Sequence, residues 1–321
     1  MAIQEQWLAH VSTLIYDPVH SNRSSTRSAL SMLGFHNTEG VNTEEALKKV
    51  LDTGDLDLLI VDLSPDHQKI CELISKLRKG ELNCNPFAVV IATSWERSSD
   101  LVQQALDCGT DSLLFRPFSA GQLKEHLQQH IDLRKPFVVT SDYVGPDRRR
   151  KPRPDETAEL IQVPNPLCAK AKHGNLSGPD PKHMADARQM IGHKRVESHA
   201  RHIGVAASLI ANHLAKPNGQ FNVAVELRSM GLKAEDLLKS CGTRDEFTPI
   251  AALCNGLMQT LRQLRDALAS GDPSDQANKP LALLTEFARA VPLALNPMQN
   301  EADIAREIAQ TVERIQLRRA S

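Results

Sequence analysis

The sequence of 321 residues lacks several features that would assign a protein to a class at once. It has no run of the roughly 20 apolar residues that a membrane-spanning helix needs. Residues 1–6 show neither the basic start nor the apolar stretch of a secretion signal. The six cysteines include no Cys-x-x-Cys pair, which argues against a zinc knuckle or a disulfide framework. We therefore expect a cytoplasmic protein with reduced cysteines and no membrane insertion.

The charges of the chain are balanced. There are 38 basic and 39 acidic residues, and the net charge of -1 gives no overall attraction to nucleic acid or to anionic lipid. Any basic binding site must be local. A hydrophobic content of 41% supplies enough apolar side chains for real cores, and the length is sufficient for two domains of ordinary size.

Residues 1–135 alternate short apolar runs with amphipathic segments. The apolar runs predict strands at 12–16, 57–61, 87–92 and 112–115, with a weaker strand near 35–41. The amphipathic segments between them predict helices at 23–33, 43–51, 68–78, 99–107 and 120–133. Because parallel strands need crossovers of about a dozen residues, this spacing predicts a doubly wound, five-stranded parallel sheet of the flavodoxin-like α/β class. Its ligand site is expected beyond the carboxyl ends of the strands.

The rest of the chain consists of two segments that differ in composition. Residues 136–181 are rich in proline, glycine and charge and predict a linker. Residues 182–321 predict an all-α helix bundle, because apolar residues recur every three or four positions at 203–214, 227–241, 250–268 and 304–315. Helix breaks are expected at 217–219, 242–243, 271–273 and 296–297.

Polar side chains close four of the five predicted strands. Asp17 follows the first strand, Asp62 ends the third, Thr93 ends the fourth and Arg116 follows the fifth. These side chains should share one rim of the sheet. Carboxylates bind a magnesium ion, and a hydroxyl with a cation binds phosphate oxygens, so the set indicates phosphoryl chemistry on a carboxylate.

With these landmarks, residues 13–133 resemble the receiver domain of bacterial two-component response regulators. Asp62 matches the phosphoacceptor of that family, and Thr93 matches its switch hydroxyl. Residues 108–118, which end in Arg-Pro-Phe, are similar to the family's stretch that ends in Lys-Pro-Phe. The resemblance implies that Thr93 and Arg116 contact the phosphoryl group. It also implies a Mg²⁺ ion held by Asp17, Asp62 and Ser64.

The resemblance further implies the partners. They would be a sensor histidine kinase or a phosphotransfer protein upstream, and a protein partner downstream. We expect no enzymatic activity.

Several residues depart from the family pattern. Pro18 stands where the family usually has a second acidic residue, and we therefore expect a weakened magnesium site, with Asp66 or water as the replacement ligand. Arg116 replaces a lysine, and a planar guanidinium is not equivalent to a compact ammonium. Leu113 replaces the aromatic residue of the output switch. The site is thus predicted to be partly degenerate.

Two polar segments outside this site invite other hypotheses. The segment 143–150 resembles a stretch that follows the receiver domain in some bacterial proteins, and its continuation to Arg153 is basic. Such charges could contact nucleic acid, or they could fold back on acidic residues of their own domain. His193, His199 and His202 could serve phosphorelay or metal binding, but the favoured interpretation is a solvated helix face.

We therefore predict a signal-transduction protein with a receiver or pseudo-receiver. It would transmit a phosphorylation-dependent or constitutive protein interaction through the helical region. The alternative is a DNA-binding transcription regulator that uses the basic stretch and the helical region, although nucleic-acid binding is considered unlikely. A third possibility, a helical phosphatase or phosphotransferase, requires an active-site group in the helices.

Overall fold

The computed structural model describes residues 5–149, 159–215, 221–241, 248–269 and 278–295, together with 302–303, 306 and 308–313. The chain divides into two compact units, Met1–Ile191 and Gly192–Ser321. Among the described residues, no helix combines the length and the apolar character needed to cross a membrane.

The first unit is built on a parallel sheet. Its strands are β1 (Thr13–Tyr16), β2 (Thr38–Val41), β3 (Leu58–Asp62), β4 (Val89–Ser94) and β5 (Ser112–Phe115). They lie in the order β2-β1-β3-β4-β5, and every neighbouring pair is parallel. The flavodoxin-like fold predicted from the sequence is confirmed, including its weaker second strand.

Six helices accompany these strands. They are α1 (Glu5–Leu8), α2 (His20–Met32), α3 (Glu44–Thr53), α4 (His67–Arg78), α5 (Ser99–Asp107) and α6 (Ala120–Asp132). Side-chain caps fix where four of them begin: Thr43, Asp66, Ser98 and Ser119 each accept a hydrogen bond from a backbone N–H of the first turn. The cap on α4 uses the side chain of Asp66, which was considered as a replacement metal ligand.

The central strands are buried on both faces. Because side chains alternate across a strand, Leu59 and Val61 pack with α3, α4 and α5, while Leu58 and Ile60 pack with α2 and α6. This double burial explains why β3 reads as a continuous apolar run. The acidic residue that ends it is therefore carried on one of the most firmly held strands of the unit.

The predicted linker, 136–181, differs from the structure. It contains the antiparallel hairpin of β6 (Phe137–Val139) and β7 (Val144–Pro146), followed by α7 (Pro166–Ala171). These elements are only three to six residues long, too short to show a period in the sequence. The described part of the segment therefore belongs to the first unit rather than to a linker.

A buried ionic network joins this segment to the sheet. Asp111 accepts hydrogen bonds from Arg78 at 2.7 Å and from Arg134 at 3.1 Å. Both guanidinium groups also donate to the carbonyl oxygen of Ala88, at 2.7 and 3.2 Å, and each lies 5.3 Å from the centre of the Phe137 ring. The network lies where β4 and β5 begin, at the opposite end of the sheet from Asp62.

The hairpin approaches the sheet very closely. Gly109 has a φ of +99°, and a Cβ atom there would lie 2.9 Å from the carbonyl oxygen of Val144. A Cβ atom on Gly145 would lie 2.9 Å from the Cα of Gly109 and 2.7 Å from the hydroxyl oxygen of Tyr143. Glycine is therefore required at both positions, because backbone meets backbone.

The basic stretch after the hairpin is partly neutralised within its own unit. Arg148 stacks on the ring of Tyr143, 4.0 Å from its centre, and pairs with Asp107. Arg149 pairs with Asp147 at 2.8 Å. The remaining cations of the stretch, at positions 150, 151 and 153, lie outside the described residues. The two described arginines therefore fit the interpretation in which the basic stretch folds back on acidic residues of its own domain.

Helix α7 is attached by a second buried ion pair. Lys170 donates to Asp57 at 2.7 Å, and the same carboxylate accepts from the backbone N–H of Ser12 at 2.8 Å. Asp57 directly precedes β3. The hairpin of β6 and β7 and helix α7 therefore lie at the amino ends of the strands, and the carboxyl ends face the opposite edge of the sheet.

The C-terminal region is helical, as predicted. Its helices are α8 (Pro181–Ala215), which begins in the first unit and ends in the second, α9 (Val223–Cys241), α10 (Thr248–Ala269) and α11 (Asn278–Leu295). Their apolar stripes form one core. The predicted helix breaks lie outside the described residues, as do Ile304 and Ile315 of the last predicted stripe.

The ionic network gives a first prediction. Burial alone would raise the pKa of Asp111, but Arg134 and Arg78 outweigh it and hold that pKa below its usual range. Asp111→Asn should therefore lower the free energy of unfolding by about 3–5 kcal/mol, because two buried guanidinium groups lose their counter-charge. Urea unfolding at neutral pH measures this effect.

The matched control is Asp100→Asn, which removes an exposed carboxylate from the first turn of α5 and should change stability by no more than about 0.5 kcal/mol. A folded state holds an acid with a lowered pKa in its charged form, so the stabilisation from Asp111 is present above the unfolded pKa. It is lost as the pH falls through the folded pKa. Equal stability of the two variants would contradict the prediction.

Candidate functional site

The candidate site lies at the carboxyl ends of four strands. Asp17 directly follows β1, and Arg116 directly follows β5. Asp62 is the last residue of β3, and Thr93 is the penultimate residue of β4. The parallel register sets Asp62 opposite Thr93. All four residues are buried, with between 0% and 6% of their surface exposed. The structure thus brings together the four side chains that the sequence singled out.

Arg116 lies between the two carboxylates. Its Nη2 donates to Oδ2 of Asp17 at 2.8 Å, and its Nε donates to Oδ2 of Asp62 at 3.2 Å. Nη2 also lies 3.2 Å from the hydroxyl of Thr26, on α2. The ring of Phe118 is 4.9 Å from the guanidinium carbon. One planar cation therefore holds two buried anions, a geometry that suits the fork of an arginine.

The carboxylate of Asp62 has hydrogen-bond partners on both oxygens. Oδ2 accepts from the hydroxyl of Thr93 at 2.9 Å, in addition to Arg116. Oδ1 accepts from the backbone N–H of Ser64 at 3.0 Å and from its hydroxyl. These four contacts match the roughly four lone-pair sites of a carboxylate. The charge is thus fully compensated by hydrogen bonds.

Asp17 is held as firmly. Its Oδ1 accepts from the backbone N–H of Val19 at 2.8 Å, and its own carbonyl oxygen accepts from Arg23 at 2.6 Å. Burial raises the pKa of Asp17 above its usual value, and the neighbouring Asp62 adds to that rise, while the N–H of Val19 and Arg116 oppose it. Arg116 is thus one of the groups, with the N–H of Val19, that oppose the rise in the pKa of Asp17.

The predicted metal ligands are arranged differently from a magnesium site. Ser64 is exposed and uses both its N–H and its hydroxyl on Asp62. Pro18 adds no oxygen from its side chain, and Asp66 caps α4 and pairs with Lys69 at 3.2 Å. Within the described part of the chain, no group of three or more histidine, cysteine, aspartate or glutamate side chains could hold a metal ion.

The donor set does not fit a magnesium ion in this arrangement. The guanidinium of Arg116 already binds the Oδ2 atoms of both Asp17 and Asp62. A divalent cation would have to displace that charge or lie beside it. Magnesium also requires near-octahedral oxygen geometry, which two engaged carboxylates do not offer.

Two contributors to the site were not found from the sequence. Thr26 lies one turn before Leu30 on the buried stripe of α2 and contacts Arg116. A polar residue on an apolar stripe was the available signal. The backbone N–H of Val19 leaves no trace in the side-chain pattern.

His199 on α8 was expected on a solvated helix face. It is buried instead, with 2% of its surface exposed.

Comparison with known proteins agrees with the fold of the first unit. The family model of the response regulator receiver domain matches residues 13–128. This segment is a receiver domain. Receiver domains generally bind Mg²⁺ at the phosphorylation site and interact with sensor histidine kinases or phosphotransfer proteins.

Relatives of known sequence match about a third of the chain. The chain is 26% identical over 121 residues to the chemotaxis protein CheY-3 of Vibrio cholerae, and this match covers 37% of the chain and 91% of the relative. It is 30% identical over 119 residues to the sensor protein EvgS of Escherichia coli K12, where the match covers 37% of the chain and only 10% of the relative. The chain thus spans a tenth of EvgS and most of CheY-3.

Solved structures are similar to part of the chain. A signal receiver domain of a histidine kinase from Clostridium thermocellum is 16% identical, with a TM-score of 0.35, and the match covers 38% of this chain and 97% of that one. The chemotaxis response regulator CheY4 of Vibrio cholerae is 22% identical, with a TM-score of 0.33 and a coverage of 37% and 97%.

The central position of Arg116 gives a second prediction. Arg116→Gln should lower the free energy of unfolding by about 3–5 kcal/mol, because two buried carboxylates lose their only bridging cation among the described residues. Magnesium chloride should recover part of this loss by taking the vacated position between the carboxylates. It should leave the unfolding temperature of the unaltered protein nearly unchanged. Thermal unfolding followed by circular dichroism, with and without the salt, measures both effects.

Arg97→Gln is the control, since it removes an exposed arginine near the same end of the sheet. If Arg116→Gln does not fold, Arg116→Lys keeps the charge and still loses one of the two contacts. Equal stabilisation of the unaltered protein and the variant by magnesium would show that the guanidinium does not occupy the cation position.

Proposed function

We propose that this protein is a signalling protein whose receiver domain acts as a pseudo-receiver. The domain would present one fixed surface to a protein partner, without a cycle of phosphorylation, and the helical region would carry the interaction further. The observation that carries this proposal is the double contact of Arg116 with Asp17 and Asp62.

The first support is electrostatic. In a phosphorylated receiver, a metal ion compensates the charge of the acidic pocket and of the incoming phosphoryl group. Here an arginine, which cannot be deprotonated in a protein, compensates the two carboxylates permanently. The missing acid at Pro18 leaves only two carboxylates, so their formal charge is small enough for one guanidinium to hold. An intrinsic cation would thus replace an exchangeable one.

The second support is the state of the nucleophile. To attack phosphorus, Asp62 must present a free oxygen lone pair, but each of its oxygens accepts two hydrogen bonds. Losing one buried, charge-assisted hydrogen bond costs about 1.5–3 kcal/mol, and attack would require at least one such loss. The ground state therefore works against phosphorylation.

The third support concerns the switch. A phosphoryl group adds about two negative charges, and the response would be a movement of Thr93 and Arg116 toward it. Both side chains already contact Asp62, at 2.9 and 3.2 Å. The face formed by β4 and β5 would therefore stay in one arrangement, in which Thr93 and Arg116 contact Asp62. This favours the constitutive version of the interaction over the regulated one.

The partners follow from this interpretation. A sensor histidine kinase or a phosphotransfer protein would recognise the receiver surface without transferring phosphate, and a downstream protein would bind the helical region. DNA binding through the basic stretch has less support, because Arg148 and Arg149 pair with Asp107 and Asp147 of their own unit.

The test is a gain of function. The full-length protein incubated with magnesium and acetyl phosphate, or with beryllofluoride, should show neither a phosphate mass nor stabilisation. The double variant with Pro18→Asp and Arg116→Lys supplies the second acid and the lysine that the family pattern contains. We expect this variant to gain the mass of one phosphate in intact-protein mass spectrometry.

Two controls locate the reaction. Adding Asp62→Asn to the double variant should abolish the phosphate mass, and Asp100→Asn, added instead, should leave it unchanged. Phosphorylation of the unaltered protein on Asp62 would overturn the pseudo-receiver and restore an ordinary, phosphorylation-dependent response regulator.

A further inference from the structure

The helical unit contains an open groove between α9 and α10. Its volume is about 1060 Å³, and its lining extends along α9 to Glu235 and along α10 from Met258 to Ala269. At 1.5 Å per residue, the α9 side, which begins at Val223, is about 18 Å long, or roughly three helical turns. The groove is thus long and continuous rather than a closed cavity.

The floor of the groove is apolar. Leu227 and Leu261 are buried, and Met258 and Leu268 are partly buried side chains of the same lining. Gly231 leaves the groove open at its middle, because the nearest atom to a Cβ there would be the Cδ1 of Leu261, at 4.0 Å. An apolar floor of this kind favours apolar anchors over a phosphate backbone.

The rim of the groove is basic. Arg228 on α9 and Arg262 and Arg265 on α10 line it, against a single acid, Glu235. All three arginines are exposed. Among the described residues, Arg265 lies 3.4 Å from Asp266, whereas no ion pair engages Arg228 or Arg262. The charge pattern is therefore complementary to an acidic occupant.

Apolar surface extends past the rim along α9. Val225 and Leu232 are 60% and 53% exposed, and they alternate with Arg228 and Glu235 at spacings of three and four residues. These side chains share one face of the helix. The groove volume of about 1060 Å³ already lies at the upper end of the roughly 300–1,000 Å³ of small-ligand pockets, and these side chains extend the apolar surface beyond it.

From these features we infer that the α9–α10 groove binds an acidic amphipathic helix of a partner protein. Such a helix places apolar residues at i, i+3 or i+4 and i+7 on the floor, and its Asp and Glu residues face the three arginines. This deepens the proposed function and rests on it for the idea of a downstream partner. A three-turn helix matches the length of the groove.

The test is a selection on the full-length protein from a displayed library of random peptides, followed by affinity measurements with the enriched peptides. We expect the enriched peptides to be acidic and to share apolar residues at helical spacing. Gly231→Met should weaken them by about tenfold or more, because the side chain fills the groove, and Arg262→Glu should weaken them by about tenfold through repulsion.

Each variant has a matched control. Gly192→Met adds the same side chain to α8 at a position where a Cβ meets nothing within 4 Å, and Arg289→Glu reverses another exposed arginine that does not line the groove. Both should bind the peptides unchanged. Replacing a helical glycine also favours the helix, so loss of fold is not the expected effect of Gly231→Met.

Several outcomes would overturn the inference. These are a selection that enriches no acidic amphipathic peptides, enriched peptides that bind Gly231→Met with unchanged affinity, and a groove that accepts only duplex DNA or only a fatty acid in the same assay. None of them bears on the phosphorylation test of Asp62, so failure of the groove and failure of the pseudo-receiver remain distinguishable.

Discussion

The structure of the receiver domain depends on one ionic contact, the guanidinium of Arg116 between the carboxylates of Asp17 and Asp62. Two buried carboxylates that contact the same side chain repel each other, and burial raises the pKa of Asp17 above its usual value. The arginine resolves both problems without an exchangeable ion, and it does so from the end of β5, at the same edge of the sheet as the ends of β1 and β3. Thr26 and Phe118 hold the guanidinium in place, so the site behaves as part of the domain's core.

The same principle appears at the opposite end of the sheet. Asp111 compensates Arg78 and Arg134, and Asp57 compensates Lys170. In these pairs, the cost of burying the charges is offset, because the surrounding backbone fixes every partner in place. The two ends of the sheet differ in what lies over them. The amino ends of the strands are covered by the hairpin and α7, whereas the carboxyl ends carry the pocket to which family members bring phosphate.

Much of this could be predicted from the sequence. The alternation of apolar runs and amphipathic segments gave the sheet, since period and spacing are local properties, and the four strand ends followed from parallel topology. Pro18 and Arg116 were recognised as departures, but the bridging contact was not, because it depends on the direction of one side chain in three dimensions. The hairpin at β6 and β7 was missed for another reason. Its strands are three residues long, and β7 contains glycine and proline, so their stability comes from Arg78, Arg134 and Phe137 rather than from a repeating pattern.

The hairpin also determines where the domain can be divided. The family match ends at residue 128 and the last strand of the parallel sheet ends at Phe115, which suggests a boundary near residue 135 for recombinant fragments. A cut there would strip Phe137 from the buried face of Phe87, whose rings lie 6.0 Å apart, and would open the apolar cluster that Val144 and Ile161 complete. A fragment shortened in this way would expose this apolar cluster and would be prone to self-association. The smallest autonomous piece of the N-terminal half therefore extends well beyond the sheet, into the beginning of α8.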